Sequence, residues 1–203
     1  MIKIKMKLFF LKTFFLIYFC LFSLSYATDI SINKDLIVIG KDNAPVKIKV
    51  FSSLTCPHCA SFHINVVPKI KEKYIDTNII KFVFRDFPLD KQALFASVLA
   101  KCAPKKKYFD FVKLILTTQE KWISNDESFM DKLKNIGKLA GLNESKIDNC
   151  FKDEQIVDEI INIRSTGEKK YNITSTPSFI INEKKYQAMS YQNFEKIIEN
   201  LIN

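Results

Sequence analysis

This chain has little glycine, with four residues in 203. Tight turns between strands often require glycine, because it adopts left-handed backbone conformations without a steric penalty. The shortage therefore argues against an all-β protein. Hydrophobic residues make up 47% of the chain and charged residues 26%, close to the averages for globular proteins, so an unfolded chain is not expected either. The length suffices for one domain with a substantial core.

Arginine-rich patches and aromatic RNA-binding signatures are also missing, although the formal net charge is +9. Nucleic acid is therefore not an expected partner. Four of the positive charges lie within residues 1–27, which contain no acidic residue, so the rest of the chain carries a net charge of +5. Such a mildly basic surface fits simple solubility or work near anionic membranes.

Residues 1–27 have the composition of a secretory signal. A basic head is followed by an uncharged apolar stretch from Phe14 to Leu24, and Ser25-Tyr26-Ala27 places small residues where an export peptidase cleaves. The basic residues of the head are Lys3, Lys5, Lys7 and Lys12. We therefore expect a cleaved signal over residues 1–27, a mature chain over residues 28–203 and a periplasmic location. The alternative is a retained membrane anchor, because Leu8 to Leu24 is nearly long enough to span a bilayer.

Cysteine usage supports an oxidising compartment. Of five cysteines, Cys20 would leave with the signal, and an even number in an exported chain suggests two pairs. The four that remain are Cys56, Cys59, Cys102 and Cys150. Cys102 and Cys150 both fall on apolar helix faces, so we expect a structural disulfide between them. The alternative is two buried free thiols.

The periodicity of the chain predicts an α/β protein. Residues 46–51 alternate apolar and basic side chains, which is typical of a half-buried strand, and residues 79–84 form a second β-rich run. Between them, Phe62, Val66, Ile70 and Tyr74 recur at helical spacing, and weak alternation over residues 29–39 permits an edge strand. These patterns predict a β-α-β unit.

The second half of the chain follows a different pattern. Residues from about 88 to 171 are helical throughout, with Asn143 as one N-cap, and strands return over residues 179–187. A last helix, capped by Ser190, ends the chain. A β-α-β half and a β-β-α half separated by a helical block predict a thioredoxin-like fold with an inserted helical subdomain at about 88–171.

The run Cys56-Pro57-His58-Cys59 lies between the predicted strand over residues 46–51 and the helix that follows it. A thiol at a helix N-terminus meets unpaired backbone N–H groups and the positive end of the helix dipole, which lowers its pKa from ~8.5 into the range ~3.5–7.5. A cationic His58 would lower it further, and Pro57 fixes a backbone angle suited to a helix start. A stabilised thiolate makes the corresponding disulfide the stronger oxidant.

A bare C-x-x-C pattern is weak by itself, because it also forms half of many zinc sites. Such sites need further ligands, and this chain offers no second C-x-x-C and one other histidine, His63. We therefore expect no metal and no cofactor beyond the redox-active Cys56–Cys59 disulfide. His63 is expected to be an ordinary residue on the helix surface.

Thr176 and Pro177 form a second candidate feature, directly before the predicted strand that begins at residue 179. In the predicted fold, Pro177 enters the strand beside the helix that carries the cysteines and faces the pair. We expect the Thr176–Pro177 bond to be cis. The backbone N–H and C=O of Thr176 would then be free to hold an extended substrate like an added strand.

The Cys-Pro-His-Cys run after a strand, with Pro177 118 residues beyond Cys59, resembles the DsbA family of periplasmic dithiol oxidases over essentially the whole mature chain. The resemblance implies that Cys56 is an exposed nucleophile, Cys59 its buried partner and Thr176-Pro177 the substrate-side loop. It also implies unfolded or partly folded exported proteins with free thiols as substrates, recharging by a DsbB-type quinone-linked membrane oxidase, and a monomer.

The chain departs from this family at two positions. Val50 stands where many relatives have a buried carboxylate, six residues before the first cysteine, so proton handling at Cys59 must differ. Ser175 stands where relatives often have glycine. Threonine directly before the proline, as at Thr176, occurs in both oxidases and isomerases. A periplasmic isomerase or reductase is therefore the closest alternative. A more distant one is a thioredoxin-like binding module whose cysteine pair is structural or binds a metal.

Overall fold

The computed structural model describes residues 37–203, so the predicted signal lies outside the described residues. Within them, the strands are β1 (Ile37–Ile39), β2 (Val46–Ser52), β3 (Ile80–Asp86), β4 (Ser178–Ile181) and β5 (Lys184–Tyr186). These five strands form one mixed sheet in the order β1-β3-β2-β4-β5. The central strands β2 and β3 run parallel, and the other pairings are antiparallel. This is the sheet predicted from the β-α-β and β-β-α halves.

Helices account for most of the remaining described chain. They are α1 (Pro57–Asn65), α2 (Val67–Ile70), a π-helical turn (Lys71–Ile75), α3 (Lys91–Lys101), a 3₁₀ turn (Lys105–Lys107), α4 (Tyr108–Thr117), α5 (Gln119–Trp122), α6 (Phe129–Leu139), α7 (Glu144–Phe151), α8 (Glu154–Tyr171) and α9 (Tyr191–Ile202). The block from α3 to α8 coincides with the predicted helical insertion. Among residues 37–203, no helix combines the length and the hydropathy needed to cross a bilayer.

Strand β2 passes through the centre of the sheet and leads to the cysteine motif. Val46, Ile48 and Val50 are fully buried on one face. The prediction of a half-buried strand is correct for its first part and wrong for Phe51, which is also buried, on the opposite face. The cause is Gly167 of α8, because a glycine there lets the helix pack directly on the Phe51 ring. The end of β2 is therefore covered on both faces.

The helix expected to run from Phe62 to Tyr74 is interrupted. Helix α1 ends at Asn65 and α2 begins at Val67. Pro68, in the first turn of α2, has no backbone N–H to continue the ladder of hydrogen bonds. The π-helical turn that follows still directs Tyr74 and Ile75 into the core.

The predicted helix caps are confirmed. Asn143 accepts a hydrogen bond from the backbone N–H of Lys146, and Ser190 accepts one from the backbone N–H of Asn193. The loop between β4 and β5 consists of two residues at positive φ, Asn182 and Glu183, and β5 begins at Lys184.

The inserted helices are tied together by core packing and by a disulfide. Trp122 is fully buried and donates its indole N–H to the Ile115 carbonyl at 2.9 Å. In the structure Cys102, at the end of α3, is bonded to Cys150 of α7, with their Cα atoms 6.2 Å apart. The same core cluster reaches both cysteines of the C-x-x-C motif.

Candidate active site

Cys56 is the N-cap residue of α1, and Pro57 is its first helical residue. The chain turns sharply after β2, and the Cys56 backbone N–H donates to the Ser53 carbonyl at 3.2 Å. The Thr55 hydroxyl donates to the Asp90 carboxylate at 2.7 Å, which ties this turn to the N-cap of α3. The prediction that Cys56 lies at the start of a helix is confirmed.

Gln119, at the start of α5, holds the same turn from the other side. Its side-chain amide donates to the carbonyl oxygens of Leu54 at 2.7 Å and Cys56 at 3.3 Å. Both carbonyls therefore share one fixed donor. The sequence offered no local signal for this contact, because 63 residues separate Gln119 from Cys56.

The two cysteines differ in access to solvent. Cys56 retains 7% of its surface and Cys59 none. Both residues between them, Pro57 and His58, are exposed. The expectation of an exposed Cys56 is therefore corrected, because packing of the motif against the inserted helices leaves only a small part of this residue accessible. An attacking thiol can reach Cys56 and not Cys59.

Thr176 and Pro177 lie against the cysteine motif, and their peptide bond is cis, as expected from the sequence. Strand β4 starts at the next residue and pairs with β2, with Ser178 opposite Phe51, so the loop enters beside the end of β2. As a thiol, Cys56 donates to the Thr176 carbonyl oxygen at 3.4 Å. The Thr176 hydroxyl is also buried.

The surroundings of Cys56 stabilise its thiolate. The largest contribution is the hydrogen bond from the Cys59 thiol, and the Thr176 side chain and the backbone N–H groups of Cys59 and His58 add to it. Partial burial opposes them, and together they lower the pKa of Cys56 to about 5. His58 takes part through its backbone N–H, while its imidazole is exposed.

The pKa of Cys59 is shifted in the opposite direction. Burial raises the pKa of its thiol far above the ordinary value, and the neighbouring Cys56 raises it further. The Ser52 hydroxyl, which stabilises the Cys59 thiolate by hydrogen bonding, offsets part of this shift. At neutral pH the reduced site therefore holds a thiolate at Cys56 and a protonated thiol at Cys59.

His63 is buried, which contradicts the expectation of a surface residue. It is 5% exposed, and its ring meets the rings of Phe62 and Phe84 at centroid distances of 5.8 and 5.4 Å. Burial lowers the pKa of His63 to about 4, so the ring is neutral at physiological pH and adds no positive charge to the site. The sequence contained the signal, because His63 follows the buried Cys59 by four residues, one helical turn.

Among residues 37–203, no group of three or more His, Cys, Asp and Glu side chains is arranged to hold a metal ion. Apart from each other, the groups that hydrogen-bond to the two sulfurs are a threonine, a serine and backbone N–H groups. This arrangement can stabilise one thiolate, protonate its neighbour and let the two sulfurs form and break a bond.

Comparison with known proteins agrees with this geometry. A family model described as thioredoxin matches residues 33–200. The crystal structure of alpha-DsbA1 from Wolbachia pipientis superposes with a TM-score of 0.77 at 34% sequence identity, covering 82% of this chain and 90% of that one. The chain belongs to the DsbA family of thioredoxin-like proteins.

Two further relatives of this DsbA-family chain are known by sequence. A protein of Rickettsia bellii named as a protein-disulfide oxidoreductase is 34% identical over 169 residues, which is 83% of this chain and 64% of that protein. The disulfide bond formation protein D of Bacillus subtilis is 25% identical over 174 residues, 81% of this chain and 74% of that protein. The chain thus spans less than two thirds of the length of the Rickettsia relative.

Proposed function

We propose that this chain is an exported dithiol oxidase, which passes the Cys56–Cys59 disulfide to unfolded or partly folded proteins with free thiols. The proposal rests on two pKa shifts in opposite directions. The pKa of Cys56 is lowered to about 5, and the pKa of Cys59 is raised. A dithiol whose reduced form contains a stabilised thiolate gives up electrons reluctantly, so its disulfide is a strong oxidant.

The reaction takes two steps. A substrate thiolate attacks the Cys56 sulfur, a mixed disulfide forms, and Cys59 leaves as a thiolate that takes up one proton because its pKa is raised. A second substrate thiolate then attacks the substrate sulfur of the mixed disulfide, and Cys56 leaves as a thiolate. Two electrons pass from the substrate to the protein. Two protons leave the substrate thiols and one of them is replaced on Cys59.

Thr176 and Pro177 are the proposed substrate-binding loop. The loop lies beside the accessible sulfur, with the Thr176 carbonyl oxygen 3.4 Å from Cys56. An extended segment that pairs with the Thr176 backbone would gain main-chain hydrogen bonds irrespective of its sequence. This mode of binding suits an enzyme that must accept many partly folded chains.

The location of the protein and the reoxidation of its cysteine pair follow from the same role. The basic and apolar pattern of residues 1–27 supports export, and the periplasm is a compartment where disulfides form. A DsbB-type membrane oxidase would remove the two electrons from Cys56 and Cys59 and restore the disulfide. Family membership supports this partner.

A redox titration of the purified protein against glutathione tests the proposal. We expect a reduction potential well above the approximately −270 mV of thioredoxin. A value at or below that potential would assign the protein to reduction or isomerisation instead. A pair that fails to exchange with small dithiols would support the binding module. The Cys56→Ser variant should stay folded and lose dithiol oxidation.

A further inference from the structure

The groups that stabilise the Cys56 thiolate come from two separate parts of the chain. The Cys59 thiol and the backbone N–H groups of Cys59 and His58 belong to α1, whereas Thr176 belongs to the loop before β4. Hydrogen bonds weaken steeply when distance and angle depart from their optimum. The sulfur of Cys56 can therefore use both sets of groups only if its position between α1 and the Thr176 loop is held.

Helix α1 does not hold that position by itself. Cys56 is the N-cap residue, and its backbone is extended, with φ −80° and ψ 120°. Its carbonyl accepts the first helical hydrogen bond, from the Ala60 N–H at 3.1 Å, while its own N–H donates back to the Ser53 carbonyl at 3.2 Å. Because Cys56 belongs half to the helix and half to the turn before it, the turn decides where its side chain points.

The turn before Cys56 is held on one side through its hydroxyl groups. The Ser53 and Thr55 hydroxyls lie 3.1 Å apart, and Thr55 donates to the Asp90 carboxylate at 2.7 Å. Asp90 is the N-cap residue of α3 and is fixed there by the hydrogen bond it accepts from that helix. These contacts hold two side chains of the turn and do not by themselves fix the orientation of its peptide groups.

One side chain on the other side of the turn fixes two of those peptide groups. The Gln119 amide donates to the carbonyl oxygens of Leu54 at 2.7 Å and Cys56 at 3.3 Å. Leu54 is fully buried, so its carbonyl needs a donor from the protein. The two carbonyls belong to the peptide groups on either side of the Thr55–Cys56 bond. With both held, the backbone of Cys56 and the direction of its side chain are fixed.

Gln119 is itself firmly placed within the inserted helices. It is the first residue of α5, and Trp122, the last residue of this short helix, is fully buried. The Trp122 indole donates to the Ile115 carbonyl at 2.9 Å. The Thr118 hydroxyl, directly before Gln119, donates to the Leu114 carbonyl at 2.7 Å. The side chain of Gln119 therefore transmits the position of the insertion to the cysteine turn.

We propose that Gln119 is a positioning residue for the dithiol reaction, which holds the turn before Cys56 so that the sulfur meets the start of α1 and the Thr176 loop together. The inference rests on the proposed function, because it concerns the reactive thiol of the same site. Gln119 acts through the backbone and not on the sulfur. Since it belongs to α5, the inserted helical block contributes to the reactivity of the thioredoxin-like part.

Loss of the Gln119 amide should weaken the thiolate. The Leu54 carbonyl would be left buried without this donor, and rotation of its peptide group toward another donor would move Cys56 as well. A sulfur displaced from its hydrogen-bonding groups holds its proton more tightly. The reduced form is then less favoured, so the disulfide becomes a weaker oxidant. The pKa of Cys56 should therefore rise while the reduction potential falls.

The test measures these two quantities in purified wild-type protein and in Gln119→Met. Methionine keeps the length and the unbranched shape of glutamine but has no N–H donor. Thiolate absorbance against pH should show the pKa of Cys56 raised by about one unit, the effect expected from one lost hydrogen bond. Equilibration with glutathione should show an oxidant about tenfold weaker, which corresponds to a potential about 30 mV lower.

Three further variants complete the design. Gln119→Asn keeps the amide but is one methylene shorter, so it should shift both quantities in the same direction, and it decides the question if Gln119→Met does not fold. Gln192→Met makes the same substitution at an exposed position of α9 and should change neither quantity. Asn143→Ala removes the N-cap hydrogen bond of α7, so it should lower the free energy of unfolding and also leave both quantities unchanged.

The outcomes separate this inference from the proposed function. Wild-type values of the pKa and the potential in both Gln119 variants would overturn the positioning role alone. An equal change in Asn143→Ala would also overturn it, because the effect would then come from lost stability. A wild-type pKa for Cys56 near the ~8.5 of free cysteine would overturn the proposed function and the positioning role together.

Discussion

The sulfur of Cys56 lies 3.4 Å from the carbonyl oxygen of Thr176, although 120 residues separate them in the chain. The pairing of β2 with β4 brings them together, because Cys56 follows the end of one strand and Thr176 precedes the start of the other. The group that reacts and the backbone proposed to hold the substrate are therefore adjacent. An extended segment paired with Thr176 would carry its own cysteine past the Cys56 sulfur.

The Thr176 hydroxyl should tune this sulfur. Thr176→Val keeps the shape of the side chain and removes a hydrogen bond that helps to lower the pKa of Cys56. A hydrogen bond to a charged group contributes about 1.5–3 kcal/mol, so we expect the pKa to rise by roughly one to two units. Thiolate absorbance against pH measures it. Thr174→Val, at an exposed position, is the matched control and should leave the pKa unchanged.

Reduced and oxidised protein should differ in how stability depends on pH. The folded pKa of Cys56 is about 5, below the value of ~8.5 in an unfolded chain. The reduced form thus binds fewer protons folded than unfolded between these values, and its stability should fall as pH falls from about 8.5 through 5. The oxidised form has no Cys56 thiol to titrate. Thermal unfolding of the reduced and the oxidised protein between pH 4 and about 8 measures this difference. Equal slopes of stability against pH in the two forms would contradict the prediction.

The local parts of the fold were predictable from sequence. Alternation over the first part of β2, the N-caps at Asn143 and Ser190, and the position of Cys56 at a helix start depend on neighbouring residues, and each agrees with the structure. The break before α2 was also readable, since Pro68 is a helix breaker, but the regular spacing of apolar residues concealed it.

The disulfide between Cys102 and Cys150 closes a separation of 48 residues. In the chain-entropy treatment, a loop of that length stabilises the folded state by ~4 kcal/mol. A Cys56→Ala/Cys59→Ala variant leaves the Cys102–Cys150 bridge as the one disulfide among the described residues. Dithiothreitol should therefore lower the free energy of unfolding of this variant by up to ~4 kcal/mol. Urea unfolding with and without reductant measures it. An unchanged midpoint would show that the bridge contributes nothing.

The contact between α8 and the sheet should tolerate no side chain at Gly167. A Cβ atom there would lie 2.7 Å from the Phe51 ring, which is itself buried. Overpacking of this kind costs about 1–3 kcal/mol, and the gain in helix propensity of about 1 kcal/mol offsets only part of it. We expect Gly167→Ala to lower the free energy of unfolding, measured in urea. Thr166→Ala, at the exposed neighbouring position, should change it little.

The parts of the site that sequence could not supply depend on distant neighbours. Gln119 fixes the turn before Cys56, and His63 is enclosed by aromatic rings, through contacts that cross between elements. No local pattern marks a glutamine for such a position. The helix face shared by Cys59 and His63 was the one exception, and it was misread because His63 was judged by residue type.

A stabilised thiolate at Cys56 underlies the proposed oxidase activity, and the pKa of this thiol can be measured. Thiolate absorbance near 240 nm is followed from pH 3 to about 9 in the reduced protein, with the Cys56→Ser variant as the baseline. We expect a single transition at about pH 5 in the wild type and none in the variant. A transition near the ~8.5 of free cysteine would contradict it, because the helix start and the Thr176 loop would then stabilise no thiolate.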